Sequence, residues 1–256
     1  MIIPAPKQLK VLLIGDTCKD VYEYGTVERI SPEAPVPIFK KLSSETKVGM
    51  VGNVKANLEN LGVETIFLSG RPSIKTRLIE TRSQQHIVRI DNDIKEKPLK
   101  VENIDSSIFT EPIHGIIISD YNKGFVDYEL IEKLRKLFIG PIFLDTKKTD
   151  LVRFNNIFVK INELEYNNKT SSNDKLIVTL GDSGAMYKTP NETKYYSIPK
   201  IDVTDVCGAG DTFLAAFAYA YMQTQSVDHA INFANRAAMV TVQHFGNYAP
   251  TLKEIV

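Results

Sequence analysis

From Gly115 onward the chain alternates short apolar runs with amphipathic stretches, and this rhythm restricts the fold more than any other feature. GIIISD reads as a strand and VDYELIEKLRKLF as a helix, with PIFLD, NIFVK, KLIVTL and GAMYK as further strands. Two helices follow, near 211–223 and 227–243. VLLIG, an apolar run ending in Gly-Asp, has the pattern of a buried parallel strand near the N-terminus. VETIFLS reads as another strand, and Val54, Leu58 and Leu61 share one face of a helix before it. Strands alternating with helices imply an α/β architecture: a doubly wound, mostly parallel sheet with helices on both faces.

Two segments break the rhythm. In YEYGTVERISPEAPVPIFKK, Pro32, Pro35 and Pro37 exclude a helix and a central strand, although residues 35–41 fit an edge strand. IKTRLIETR and QHIVRID alternate in polarity and meet near Ser83-Gln84, as a hairpin would. We read both as strands of a small separate sheet, a lid drawn from about 19–43 and 73–92.

Lys and Arg total 31, as do Asp and Glu, so no global field draws the chain to nucleic acid or an anionic membrane. Apolar residues make up 43% of the 256 and charged residues 24%, the balance of a soluble globular protein. MIIPAPKQLK lacks the apolar core of a signal peptide, and FLAAFAYAYM has about half the length of a bilayer span. Cys18 and Cys207 match no metal spacing, and neither do the four histidines. The expected location is the cytoplasm.

DVCGAGDTFLAAFAYA, Asp205 to Ala220, is the chemically densest stretch. Glycines at a helix start expose backbone N–H groups that cradle anions. The string is not a dinucleotide fingerprint, because Phe213 stands where a third glycine belongs, and no GK[ST] marks a P-loop. The plainer alternative is a tightly packed helix start with Asp211 favoured by the dipole.

DVCGAGDTFLAAFA fits the C-terminal signature of the ribokinase-like sugar kinases, the PfkB family. The resemblance implies that Gly208, Ala209 and Gly210 form an anion hole for the transferring phosphoryl group and that Asp211 takes the proton of the attacking hydroxyl. Both roles suit phosphoryl transfer, which rests on positioning and electrostatic stabilisation. Further strings resemble one branch, the D-glycero-β-D-manno-heptose 7-phosphate kinases of lipopolysaccharide heptose synthesis. They are RISPEAPVPIF, VGNVKANLENLG, IKTRLIETRSQQHIVRID, ISDYNKG, FLDTKKTD, NELE and VTLGDSGAMY, in order along the chain. The departures are Gly49-Met50 where that branch usually has Gly-Gly, and a missing strand–helix piece between FLSG and RPSIKTR. Lys55 and Lys160 replace residues that are usually uncharged.

Asp16 and Asp20 follow the first strand, where ligands of open α/β sheets collect, and carboxylates suit vicinal sugar hydroxyls; a capped turn is the alternative. Asn53 is placed as a sugar ligand, or as the cap of its helix. Arg77, Arg89 and Lys123 are candidates for the distal phosphate of a phosphosugar, against solvated surface charges. Asn162 and Glu165 match an N-x-x-E motif that the resemblance assigns to magnesium, through water, and to phosphates; an exposed acidic loop is the alternative. Thr179, Gly181 and Gly184 shape a nucleotide-side turn or an ordinary hairpin, and Asn235 lies near adenine or on the surface. Cys207 sits where a helix dipole lowers a thiol pKa, yet it is read, like Cys18, as a packing residue.

The resemblance therefore implies one kinase domain over 1–256, with no C-terminal nucleotidyltransferase domain. It would use ATP and Mg2+ to form heptose 1,7-bisphosphate. Separately, the free edge of apolar lid strands is a liability that a second copy would cover, so a homodimer through the lid is expected. The alternatives are a PfkB-type kinase for another sugar, a non-catalytic sugar-binding or regulatory homologue, and a structural scaffold.

Overall fold

A computed structural model describes residues 7–109 and 112–256. Most of the amino-terminal string read for a leader lies outside these residues. Along the first half run β1 (Lys10–Gly15), β2 (Thr17–Ile30), β3 (Pro37–Met50), α1 (Val51–Asn60), β4 (Glu64–Ser69), β5 (Ser73–Glu80), β6 (His86–Asn92) and β7 (Gly115–Asp120). The alternating half supplies α2 (Tyr128–Leu137), β8 (Ile142–Thr146), β9 (Phe158–Asn162), α3 (Glu163–Asn168) and β10 (Leu176–Thr179). It ends with β11 (Ala185–Lys188), β12 (Thr193–Tyr196), α4 (Ala209–Thr224), α5 (Val227–Val242) and α6 (Leu252–Ile255).

Eight strands form the main sheet in the order β12-β11-β10-β9-β8-β7-β1-β4. Its pairs from β4 through β10 are parallel, while β11 and β12 return antiparallel. Continuous apolar runs are what a strand buried on both faces requires. Ile117 joins the core under α4 and α5, while Ile116 and Ile118 join the opposite core under α2. Helix α4 is apolar nearly all round because it is enclosed, with α1 and α5 against it and Phe217 packed on Phe143 and Phe158 of the sheet. Among the described residues no helix is long and apolar enough to cross a membrane.

The segments outside the rhythm form a second sheet, ordered β3-β2-β5-β6. Strand β2 pairs antiparallel with β3 and parallel with β5, and β5 pairs antiparallel with β6. Pro37 opens the edge strand β3, where no partner needs its N–H, and Pro32 and Pro35 lie in the turn before it. Strand β3 extends beyond the edge strand expected at 35–41, running on to Met50 and feeding directly into α1. That continuity ties the second sheet to the carboxyl end of β1.

Candidate active site

The carboxyl ends of β1, β7, β8, β9 and β10 point to one edge, where ligands of parallel sheets bind. The N-terminus of α4 meets that edge. Gly208 precedes the helix at φ 78°, a left-handed conformation, and a Cβ there would stand 2.6 Å from the Asn53 Nδ2. Thr212 N–H donates to the Gly208 carbonyl and closes the first turn, so the glycine segment begins a true helix end.

Asp211, the third residue of the helix, is buried. Its two oxygens accept from Asn53 Nδ2 at 3.0 Å and from the Tyr121 hydroxyl at 2.9 Å. Burial pushes its carboxyl up to about 6, with Asp145 adding to the rise and Asn53, Tyr121 and Lys160 opposing it. A carboxylate that titrates near neutrality and carries ordered donors is suited to accept a proton.

A cleft of ≈ 450 Å³ opens over Asp211, Gly208 and Gly210. Asn162, Thr179 and Gly181 line it, together with Tyr121, Asp145, Lys147 and Lys160, to which the sequence had assigned no role. Lys160 is buried and bonds Asp145 at 2.8 Å, and a Cβ on Gly210 would stand 2.8 Å from its Nζ. The second Asp145 oxygen is buried without a partner. Lys147 pairs with Glu165 and lies over the Tyr121 ring, 5.3 Å from its centroid. Burial pulls the Lys147 ammonium down, but Asp145, Glu165 and Asp211 outweigh it and hold it above its ordinary value. The signal that would have found these four is positional: DY, LDTK and K-I-N fall at strand ends facing one edge.

Asn162 caps α3 and Glu165 closes a capping box with it, since each side chain bonds the other's backbone N–H. Neither is an exposed loop residue, and neither is free as a direct metal ligand. Among the described residues no group of three or more His, Cys, Asp or Glu side chains could hold a metal ion. The residues present fit a divalent cation held mainly by phosphate oxygens and water.

Beside the cleft lies an apolar pocket of ≈ 490 Å³, which shares Thr179, Gly181 and Gly210 with it. Gly184, Ala209 and Asn235 line this pocket with Phe213, Met239 and Val242. Asn235 is buried, not a surface residue, and its Nδ2 donates to the Tyr196 carbonyl, bracing α5 against β12. Thr179 to Gly184 form the β10–β11 hairpin, which also walls the pocket.

The second sheet covers the other side. Asp20 is buried and accepts from Arg77 at 2.5 Å, and the Arg77 guanidinium lies 5.2 Å from the Tyr22 ring centre. Asp16, expected on a sugar or in a capped turn, is buried beneath the loop after β7. Its carboxylate accepts the backbone N–H groups of Tyr121, Lys123 and Phe125, which fixes the loop after β7. Asn53 likewise directs its amide to Asp211, not to open space. Arg89, directly across from Arg77 on the neighbouring strand, forks onto Asp91, and Lys123 pairs with Asp93. Met50, where glycine was expected, is buried at φ 56°, a backbone conformation that costs a side chain about 1–3 kcal/mol. The Cys207 thiol is pushed up to about 11 by burial and by Asp205, and Cys18 up to about 12 by burial and Asp20, so desolvation outweighs the helix dipole.

The model of the pfkB family carbohydrate kinases matches residues 159–254, from β9 through α6. The bifunctional protein HldE of Helicobacter pylori (strain HPAG1) is 31% identical over 303 aligned residues, covering 96% of this chain. The chain belongs to the pfkB family of carbohydrate kinases. It is thus a phosphotransferase of the carbohydrate kinase class. HldE of a Nitratiruptor species is 29% identical over 96% of the chain. This pfkB chain spans about 65% of the length of such curated relatives. Its fold is ribokinase-like. The ribokinase of Thermotoga maritima superposes with a TM-score of 0.72 at 17% identity, over 97% of this chain and 98% of that one. Arabidopsis thaliana ribokinase complexed with ribose and ATP gives 0.69 at 18%, with the same coverage of both chains.

Proposed function

We propose that this pfkB chain transfers the γ-phosphoryl group of ATP to the anomeric hydroxyl of D-glycero-D-manno-heptose 7-phosphate, giving heptose 1,7-bisphosphate. The observation that carries the reading is Asp211, buried beside the glycine turn with both oxygens on fixed donors and lining the cleft. The heptose is suggested by the HldE relatives and by RISPEAPVPIF in the turn between β2 and β3.

The apolar pocket accepts the base of ATP, and its phosphates lie along the cleft toward Gly208–Gly210 and Lys160. The acceptor lies between Asp20, Arg77 and Asp211. Its hydroxyl oxygen attacks the γ-phosphorus, the bond from that phosphorus to the bridging oxygen of ADP breaks, and the hydroxyl proton passes to Asp211. First-turn N–H groups and Lys160 neutralise charge on the equatorial oxygens. Magnesium, when bound, supplies further neutralisation of the phosphates, with Asn162 and Glu165 reached through water. The chain folds as one kinase domain.

ADP release is measured with D-glycero-D-manno-heptose 7-phosphate beside a panel of sugars and sugar phosphates. Turnover with the heptose phosphate is the expected result, and its absence sinks the substrate assignment. A second substrate is favoured by Met50 at φ 56° and by the short link between β4 and β5, both on the acceptor side. Preference for another phosphosugar in the same panel would establish it.

The lid sheet serves as the surface for a second copy. Val21, Val48, Ile74, Leu78, Val88 and Ile90 share the face turned away from Asp20 and Arg77, and Val48 is 57% and Ile90 55% exposed. Light scattering is expected to give a dimer, and Val48→Glu with Ile90→Glu a monomer. A monomeric wild type removes this part of the reading.

A further inference from the structure

Tyr121 stands in the cleft without a part in the transfer described above. It directly follows β7, and its backbone N–H donates to Asp16 at 2.8 Å. The Lys123 and Phe125 N–H groups are held by the same carboxylate, which fixes the loop backbone that carries Tyr121. Its ring lies under the Lys147 ammonium, and its hydroxyl reaches Asp211. Burial, with Asp211 and Asp145 beside it, holds the phenol well above its ordinary value, so it remains a donor wherever the enzyme works.

Asp211 has charged and titratable neighbours on every side. Asp145 and Lys160 face it from β8 and β9, Lys147 from the segment after β8, and Cys18 from β2. Asn53 on α1 bonds its other oxygen. Among the described residues, Asn53 and Tyr121 are the two side chains that bond Asp211, one on each oxygen. Without the Tyr121 donor, burial and Asp145 would favour the protonated form, which cannot take a proton from the acceptor.

We infer that Tyr121 is a positioning residue for Asp211: its hydroxyl, held in place by the Asp16-anchored loop, keeps the carboxylate ionised and aims its free lone pairs at the acceptor. This rests on the reading of Asp211 as the base. Asp16 acts through the same chain of contacts.

The test is Tyr121→Phe, which keeps the ring and its contact with Lys147 and removes only the hydroxyl. The Asp211 carboxyl is followed by carbon NMR across pH in wild type and variant with no substrate present, alongside the pH profile of ATP turnover. In the variant the Asp211 titration moves up by about one pH unit. The acid limb of the turnover profile moves with it, and kcat at high pH returns toward wild type. A merely structural role would lower turnover equally at all pH values and leave the titration in place, which overturns the inference. If the titration moves and the turnover limb does not, Tyr121 holds Asp211 as inferred and the assignment of Asp211 as base falls. A melting curve of the variant accompanies both, and an unfolded variant is replaced by Asp16→Asn, for which the same titration shift is expected through release of the loop.

Discussion

Asp211→Asn lowers kcat by about 10²–10⁴-fold, the contribution of a positioned general base. The KM for ATP stays near the wild-type value, since the nucleotide pocket does not include this side chain. The same substitution raises stability at neutral pH. Asp211 goes from 3.8 to about 6 on folding, so the folded protein binds this proton more tightly than the unfolded chain. The stability contributed by the group is fully present below about pH 4 and is lost as pH rises through 6, amounting to about 3 kcal/mol at pH 8. Asparagine has no such cost, and its carbonyl and amide can meet Asn53 and Tyr121 in turn. Thermal melts at pH 4, 6 and 8 should show the variant more stable at pH 8, with the gap closing toward pH 4. A variant no more stable than wild type at pH 8 would mean that the carboxylate is not confined in a dry site, and full turnover would remove it from the chemistry.

Lys160→Met is expected to be costly for two separable reasons. Lys160 and Asp145 are 2.8 Å apart with side chains only 6% exposed, and one Asp145 oxygen already lacks a partner. Removing the ammonium leaves a buried charge uncompensated, which destabilises by about 3–5 kcal/mol. Methionine fills the space with flexible apolar atoms but supplies no charge. The ammonium also stands beside the glycine turn, so its loss should lower turnover by about 10²–10³-fold, as losing one preorganised donor to the reacting group does. The double variant Lys160→Met, Asp145→Leu separates the two, since an ion pair replaced whole is often neutral for stability. Denaturant melts should show most of the stability restored, while ADP release stays low. Wild-type turnover in a stable double variant would make Lys160 a purely structural ion.

Asp16 and Asn53 show how far residue type can be read without its partners. Both lie where a sugar-binding group belongs, and both are hydrogen-bonding residues at the expected edge. In the structure Asp16 accepts three backbone N–H groups from residues more than a hundred positions away, and Asn53 gives its amide to Asp211, 158 residues on. Lys160 was noticed only as a charge in an unusual place, because its partner Asp145 sits on the neighbouring strand β8. Arg77, Arg89 and Lys123 looked equivalent as basic residues, yet only Arg77 turns onto a buried carboxylate.

The sequence by itself determined what depends on near neighbours along the chain. Apolar runs and helical patterns mark β7 to α5, prolines keep residues 32–37 out of a central strand, and the capping box at Asn162–Glu165 spans three residues. The glycine turn belongs with these, since a left-handed φ at Gly208 is a local demand. Tertiary structure decided which carboxylate is dry, which is anchored to backbone, and which lysine is aimed at the helix end. Hydrogen bonding and desolvation act over a few ångströms, and only folding brings β1, β7, β8, β9 and the N-terminus of α4 within that range.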